Sequence, residues 1–412
     1  MRILSGKAAA KRVVQLARRG SDFSDLEPRV RRIVEDVRRH REVALLRYAS
    51  KWDGIVGRNL KVSQSEMERA WNEASPQLRT SLRKAAQNIR RFSNWQRPLA
   101  WSRRVDGMKL GQVVRPIASV GCYVPGGRHP LVSSLLMTVI PAQVAGVPEI
   151  SVVSPKPASE MLAAAYMLGV RQFYRVGGAQ AIAALAYGTK SIPRVDKIVG
   201  PGNQYVTVAK KLISFDCSID FLAGPTEVII LSHRGRTNFI AADLVAQGEH
   251  DPAAVPIFIT TSKALARSTA AAVKRLFGKN EVARQAVARN GCVLLARSRS
   301  EGIEWANRIA PEHITVDRED VASIQNAGSI FVGPWSAQAA GDYAAGPNHV
   351  LPTAGVARFR GGLSVRDFVK LVTVQEVSER GLRRIGSTVV HLAEAEGLKA
   401  HADSIRMRCP HA

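Results

Sequence analysis

Two short segments of this chain, Gln247-Gly248-Glu249-His250 and Pro311-Glu312-His313, place metal-binding and proton-handling groups side by side. Asp342, His349 and His401 follow, each in a stretch of unusual composition. Imidazole moves protons near neutral pH and is the commonest transition-metal ligand, and an adjacent carboxylate adds a second base or a harder ligand. Gln247 and His250 stand three apart, so on a helix both point the same way. A Gln carbonyl oxygen is a weak ligand suited to harder, higher-coordinate ions. Taken singly, each group also has a plain structural reading. His250 fits the C-terminus of a helix, where the dipole favours a cation. Glu312-His313 could be a loop, and Glu394, Glu396 and His401 surround Gly397 in the manner of a C-cap. The glycines of Gly341-Asp342-Tyr343-Ala344-Ala345-Gly346-Pro347-Asn348-His349 leave its side chains free to face a cleft. Such scattered groups imply a composite site, assembled by the fold and not by one local motif.

The elements that must position these groups read as two α/β units in tandem. Val113–Val124 reads as a strand pair leading into Pro125-Gly126-Gly127. Strands then alternate with helices of about ten residues: Glu149–Val153, Gln172–Val176 and Lys197–Val199 as strands, Leu135–Ala145, Ala158–Leu168, Ala179–Tyr187 and Val206–Ile213 as helices. A second alternation sets strands at Val228–Leu231, Pro256–Thr260, Cys292–Leu295, Ile314–Val316 and Ser329–Val332 between helices at Asn238–Gln247, Ser262–Leu276 and Ser300–Ile309. This pattern predicts parallel, doubly wound sheets. Residues 1–100 read as helical, amphipathic near 8–19, 28–50, 64–74 and 76–95, and the tail from 365 reverts to helix, notably Val377–Ala395. No internal repeat is visible by eye.

Composition bounds the rest. The chain has 412 residues, 46% hydrophobic and 23% charged, which is globular and long enough for two or three domains. No apolar run reaches the ~18 residues of a membrane span, and the start lacks a signal-peptide core, so a cytoplasmic location is expected. Cys122, Cys217, Cys292 and Cys409 are isolated and read as buried small hydrophobes; Cys122, beside a glycine turn, is the one candidate for a catalytic thiol. The net charge is +25, and residues 1–100 hold 23 Lys and Arg against 10 Asp and Glu. Such a field attracts nucleic acid without specificity. Yet Arg83, Lys84, Arg90 and Arg91 lie opposite an apolar stripe of Leu82, Ala86, Ile89 and Phe92, as on a solvated helix face. No nucleic-acid motif is present.

Three glycine loops follow expected strands: Pro125-Gly126-Gly127, Gly177-Gly178-Ala179-Gln180 and Gly200-Pro201-Gly202-Asn203. Glycine lets backbone N–H groups approach a phosphate, and a helix start adds a favourable dipole, so three such loops in one unit point to a nucleotide crevice. None matches a Gly-x-Gly-x-x-Gly or P-loop pattern.

Together these segments resemble the histidinol dehydrogenase family, zinc enzymes that complete histidine biosynthesis. The resemblance runs through Tyr123–Gly127, Gly177–Ala184, Val199–Asn203, Ala223–Val228, Gln247–Asp251, Ala310–His313, Gly341–Tyr343, Gly346–Thr353 and Ala393–Leu398. It implies two tandem, incomplete, doubly wound Rossmann-like domains with helical N- and C-terminal extensions in an intertwined homodimer. The implied boundaries are 1–19 for an N-terminal extension, 20–122 with 228–363 for a domain carrying most metal and catalytic residues, 123–227 for an NAD-binding domain, and 364–412 for a dimerisation tail. By resemblance Gln247, His250, Asp342 and His401 match the ligands of one zinc per subunit, with His401 and Glu396 completing the partner's site. His313 matches a general base and Glu312 a group that activates water. Tyr123, Gln180 and Asn203 match NAD contacts. Thr226, His349 and Glu396 match positions that recognise L-histidinol, alongside the ligands and His313. Relatives oxidise other small primary alcohols, including a sulfonated propanediol; His349 and Glu396 favour the amino- and imidazole-bearing substrate. Thr226 stands where many members have serine. His129 reads as a local loop histidine.

Overall fold

The computed structural model describes residues 1–20, 23–57, 59–126, 131–278 and 280–409, so Gly127 and His129 lie outside the described residues. The strands are β1 (Arg2–Ser5), β2 (Trp101–Val105), β3 (Met108–Pro116), β4 (Ser119–Tyr123), β5 (Glu149–Val153), β6 (Gln172–Tyr174) and β7 (Lys197–Val199). They continue as β8 (Ser218–Ile219), β9 (Glu227–Leu231), β10 (Val255–Thr260), β11 (Cys292–Leu295), β12 (His313–Val316), β13 (Ser329–Val332) and β14 (Val369–Val377). The chain divides into two compact units, Met1–Gln96 with Ala118–Asp367, and Arg97–Ile117 with Phe368–Ala412.

The first unit holds two parallel sheets, ordered β6-β5-β4-β7-β8 and β1-β11-β10-β9-β12-β13. Each segment is wound the same way. Its first strand lies at the middle, the next two extend to one side, and the last two to the other. This shared winding has no visible counterpart in the sequence. In the six-stranded sheet, successive residues of β9 bury to opposite faces: Val228 and Ile230 pack with Ile240 and Leu244, Ile229 and Leu231 with Val13, Trp305 and Ile309. Burial on both faces explains why these strands read as continuous apolar runs.

Two expected boundaries change. Residues 2–5 are a strand and not part of a helical extension: β1 pairs with β11 at the sheet edge, and the Gly6–Ala17 helix packs beneath. The Glu27–Tyr48 helix buries Val30, Ile33, Val37 and Leu45 against Ile182, Leu185 and Ile213. Residues 27–48 therefore pack with the five-stranded sheet, whereas the sequence reading assigned 20–122 to the same domain as 228–363. The basic helix Pro76–Trp95 buries Leu82 and Ile89, and the Arg83 guanidinium lies 4.9 Å from the Trp71 ring. Its charges are those of a helix face with local partners.

In the second unit, β2 and β3 form an antiparallel hairpin and β14 pairs with β3. The turn is Asp106-Gly107, both at positive φ (52° and 81°), the type I′ conformation whose twist suits a two-residue hairpin. The tail thus begins with a strand before the Glu379–Ala395 helix. The strands foreseen at 113–124 are real but belong to different sheets. Among the described residues no helix is long and apolar enough to cross a membrane.

Candidate active site

The centre of the six-stranded sheet brings 226–227 beside 312–313. β9 and β12 are parallel neighbours with His313 opposite Val228, so the amino ends of both strands deliver their leading residues to one place. Glu312 Oε2 accepts hydrogen bonds from the Thr226 hydroxyl at 2.6 Å and the Glu227 amide at 2.8 Å. Gln247 Nε2 donates to the same Thr226 hydroxyl, leaving Gln247 Oε1 without a hydrogen bond among the described residues. At Gly328 an added Cβ would stand 2.6 Å from the Glu312 carbonyl oxygen, so only glycine lets this strand pass so closely.

His313 is 3% exposed. Its Nδ1 lies 3.1 Å from the Glu227 carbonyl oxygen, which can only accept, so Nδ1 carries the proton. In neutral His313 the lone pair is therefore on Nε2, 3.5 Å from Asp342 Oδ1 and otherwise buried without a hydrogen-bond partner. Burial works to lower the His313 pKa, but the carboxylates of Glu312 and Asp342 outweigh it and raise it to about 10. Burial likewise works to raise the Asp342 pKa, yet His313, His349 and His250 hold it below the ordinary value. His250 lies just past the Thr237–Gly248 helix, within electrostatic range of Asp342.

Asp342 sits near the end of a short helix, Gln338–Tyr343, and its carbonyl accepts His349 Nδ1 at 2.7 Å. His349 Nε2 is then the acceptor for Ser134 Oγ at 3.2 Å. Burial lowers the His349 pKa against the pull of Asp342, which keeps it neutral. His313, Asp342, His349, Asn348 and Phe331 line a cavity of about 380 Å³, within the range of small-molecule sites.

Behind this cavity lies a support that sequence reading missed. Glu227 is buried and pairs with Arg19 through both carboxylate oxygens. Arg19 also donates to the Ile309 carbonyl at 2.9 Å, and Glu227 accepts the Ala354 amide at 3.0 Å. One guanidinium thus ties the ends of the first helix and of the Arg299–Ile309 helix to the strand carrying Thr226. Ser134 was missed as well. Neither residue carries a local signal, since Arg19 and Glu227 are 208 positions apart.

The candidate nucleotide residues lie at the carboxyl end of the five-stranded sheet. The Tyr123 hydroxyl accepts the Gly178 amide at 3.1 Å, and Gln180 Nε2 donates to Asp53 at 3.1 Å. Asp53 also accepts the Gly177 amide at 3.3 Å, so a buried carboxylate orders this glycine loop. Asn203 Oδ1 caps the Gln204–Ile213 helix by accepting the Val206 amide at 3.2 Å. Gly200, at φ 110°, lies so near Tyr123 that a Cβ would meet its carbonyl oxygen at 2.1 Å. Tyr123, Gln180 and Asn203 therefore converge on adjacent loops at the β4–β7 junction.

Glu396 and His401 belong to the second compact unit. Glu396 ends the Glu379–Ala395 helix, and Gly397 follows at φ 76°. The Leu398 amide bonds the Ala393 carbonyl and the Gly397 amide the Glu394 carbonyl, a Schellman turn. Both side chains are exposed there, His401 on the short Lys399–Arg406 helix.

Among the described residues no group of three or more His, Cys, Asp or Glu stands ready to hold a metal. Gln247 Oε1 takes no hydrogen bond and His250 lies in electrostatic range of Asp342, and nitrogen and oxygen donors of these kinds would suit a borderline ion of high coordination number. All four cysteines are free and buried, and burial pushes the Cys122 thiol up to about 12. A nucleophilic thiolate does not form there.

A family model described as histidinol dehydrogenase matches residues 16–409. The chain is 44% identical to a histidinol dehydrogenase of Methanothermobacter thermautotrophicus, over 97% of each protein. Its structure superposes on the crystal structure of histidinol dehydrogenase from Elizabethkingia anophelis with a TM-score of 0.94, at 33% identity over 99% and 98% of the two chains. A likeness to an acetylating aldehyde dehydrogenase from Geobacillus thermoglucosidasius, TM-score 0.51 at 11% identity over 90% and 96% of the chains, concerns the fold alone. With the match running through both parallel sheets and into the tail, the chain is an oxidoreductase that belongs to the histidinol dehydrogenase family.

Proposed function

We propose that this oxidoreductase converts L-histidinol to L-histidine through L-histidinal, a four-electron oxidation using two NAD and one zinc ion per subunit. The observation that carries the reading is the buried, unpartnered Nε2 of His313, aimed into a cavity beside the Glu312 carboxylate. Gln247, His250 and Asp342 would hold the metal, whose positive charge, when bound, fixes and polarises an amino alcohol. NAD, when bound against Tyr123, Gln180 and Asn203, accepts hydride.

The chain's own groups supply the proton chemistry. With Nδ1–H engaged by the Glu227 carbonyl, His313 receives the alcohol proton on Nε2 as the carbinol C–H leaves as hydride. Glu312 Oε2 is held by Thr226 and Glu227, while Oε1 takes no hydrogen bond among the described residues. Oε1 is the site for the proton released as water adds to the aldehyde. The resulting hydrate anion gives its C–H as a second hydride to NAD and its remaining hydroxyl proton to solvent, which leaves the carboxylate. Thr226, His349 and Glu396 are assigned to substrate recognition.

A raised His313 pKa opposes a base role while Asp342 stands free beside it. A cation held by Asp342 would offset that carboxylate's share of the rise, leaving the share of Glu312, and so would favour loss of the His313 proton, because bound cations invert local pKa trends. The reading also assigns a cytoplasmic homodimer in which Glu396 and His401 complete the neighbouring copy's site; their exposure on a well-formed Schellman turn supports it. The test is stoichiometry. Zinc-loaded protein with NAD and L-histidinol is expected to yield about two NADH per substrate consumed; a yield of one, or no turnover, overturns the reading.

A further inference from the structure

The two parallel sheets of the first unit share one winding, and each therefore has a crevice where its first and fourth strands part in opposite directions. In open parallel sheets ligands bind at that switch point, outside the carboxyl ends of the strands. In the five-stranded sheet the switch lies between β4 and β7, where Tyr123 and Gly200 meet. In the six-stranded sheet it lies between β9 and β12. The catalytic cavity does not use it, since Thr226, Glu312 and His313 stand at the opposite, amino ends of those strands.

A cavity of about 420 Å³ opens at this second switch point, just past Leu231 of β9 and Val316 of β12. The Thr237–Gly248 helix begins there, with Arg236 as its N-cap residue and no side-chain cap on its first turn. Arg236, Phe239 and Asp243 fall at spacings of three and four, one stripe down the helix, and all three line the cavity. The Arg236 guanidinium lies 5.1 Å from the Phe239 ring and 5.4 Å from that of Trp335, which is 77% exposed. The two rings meet edge to face at 5.6 Å. Arg318 lines the same cavity, and neither it nor Arg236 has a carboxylate partner among the described residues. Asp243 likewise has no hydrogen-bond or ion-pair partner there, and burial alone raises its carboxyl to about 6.

We infer that this crevice is a second ligand site, separate from the catalytic cavity, for a purine mononucleotide. Unpaired guanidiniums and an uncapped helix start together fit a phosphate. An exposed indole beside a phenyl ring fits a stacked base. Asp243 lies about 10 Å along the helix from Arg236, and its free carboxylate accepts the amino group at the far end of such a base. A volume near the lower end of ligand pockets suits a mononucleotide better than a dinucleotide. Arg234 pairs with Glu319, and the Asp317 carboxylate on the same lining accepts the Ser232 hydroxyl, so Arg236 and Arg318 are the guanidiniums there without an ion-pair partner among the described residues. Trp335 and Val332 also line the His313 cavity, so an occupant would press on a wall the two cavities share.

The test is calorimetric titration of the zinc-loaded protein, kept saturated with NAD so that any dinucleotide crevice is filled, using AMP, adenosine and inorganic phosphate. The expected result is one saturable AMP site per chain, with adenosine and phosphate each weaker than AMP. Arg236→Ala and Arg318→Ala are each expected to weaken AMP about tenfold, as loss of a charged hydrogen bond does, and circular dichroism confirms that the variants are folded. Absence of saturable AMP binding, abolition of it by NAD, or unchanged affinity in both variants overturns the inference. NADH stoichiometry with L-histidinol is read separately, so failure here leaves the catalytic reading standing.

Discussion

The carbonyl oxygen of Glu227 faces Nδ1 of His313 at 3.1 Å, and this contact decides which ring nitrogen can act. It fixes the proton on Nδ1 and leaves Nε2 for chemistry, beside Asp342 at 3.5 Å. The same residue turns its side chain the other way, into the buried pair with Arg19. Glu227 therefore couples the catalytic tautomer to the packing of the first helix.

The Asp342 carboxylate is one of two that raise the His313 pKa to about 10. In metal-free protein, Asp342→Asn is expected to lower that pKa by at least about one unit, read by NMR titration of the imidazole. The sign for stability follows from a folded value above the unfolded one. Stabilisation from charged His313 is fully present below about pH 6.5 and is lost as pH rises through about 10. Urea denaturation of metal-free protein across that window should show the loss, and Asp342→Asn should flatten it. An unchanged profile in the variant would remove Asp342 from this role.

His313→Asn removes a base without removing a proposed ligand. Turnover is expected to fall about 10²- to 10⁴-fold with zinc content unchanged by atomic absorption. His250→Asn should instead lower the zinc content. Loss of zinc from His313→Asn would count against the division between base and ligands.

How much of this was legible beforehand depends on where each signal resides. Strands buried on both faces, such as Val228–Leu231 and Lys197–Val199, read as short apolar runs, and half-buried Ser329–Val332 is marked by a glycine on either side. Residues 369–377 did not, because eight of the nine are exposed and partly exposed Val369 alone departs from that pattern, leaving no alternation to read. The Asp106-Gly107 turn was the available clue to the hairpin beside it. Asp342 was noticed as a residue in a glycine-flanked segment, but its helix is six residues long and too short for a periodic pattern. The Arg19–Glu227 pair and Ser134 next to His349 are created by tertiary folding and leave nothing at the level of spacing. The common winding of the two sheets is a property of topology that composition does not record.

Breaking the Arg19–Glu227 pair tests that support. Arg19→Met leaves a buried carboxylate without its partner and is expected to cost about 3–5 kcal/mol in urea denaturation. Arg19→Met with Glu227→Leu removes both charges and should recover most of that stability, while turnover stays low because Thr226 and Glu312 lose their alignment. Equal instability in the single and double variants would show that the pair contributes by packing alone.

Cys122→Ala is expected to retain at least half the parental turnover, since the thiol is buried and its pKa is pushed up to about 12. Loss of activity in a folded variant would reopen a thiol mechanism.

The proposed sharing of sites between subunits makes a quantitative prediction. His401→Asn spoils the tail and His313→Asn spoils the cavity. In a heterodimer of the two, the chain with an intact cavity faces the chain with an intact tail, which rebuilds one site of two. Refolding equal amounts together gives about half heterodimers by random pairing, so about a quarter of parental activity is expected from two nearly inactive parents. If each chain instead used its own tail, every cavity in the mixture would lack one group or the other. Measured turnover of the mixture would then stay at the level of the separate variants.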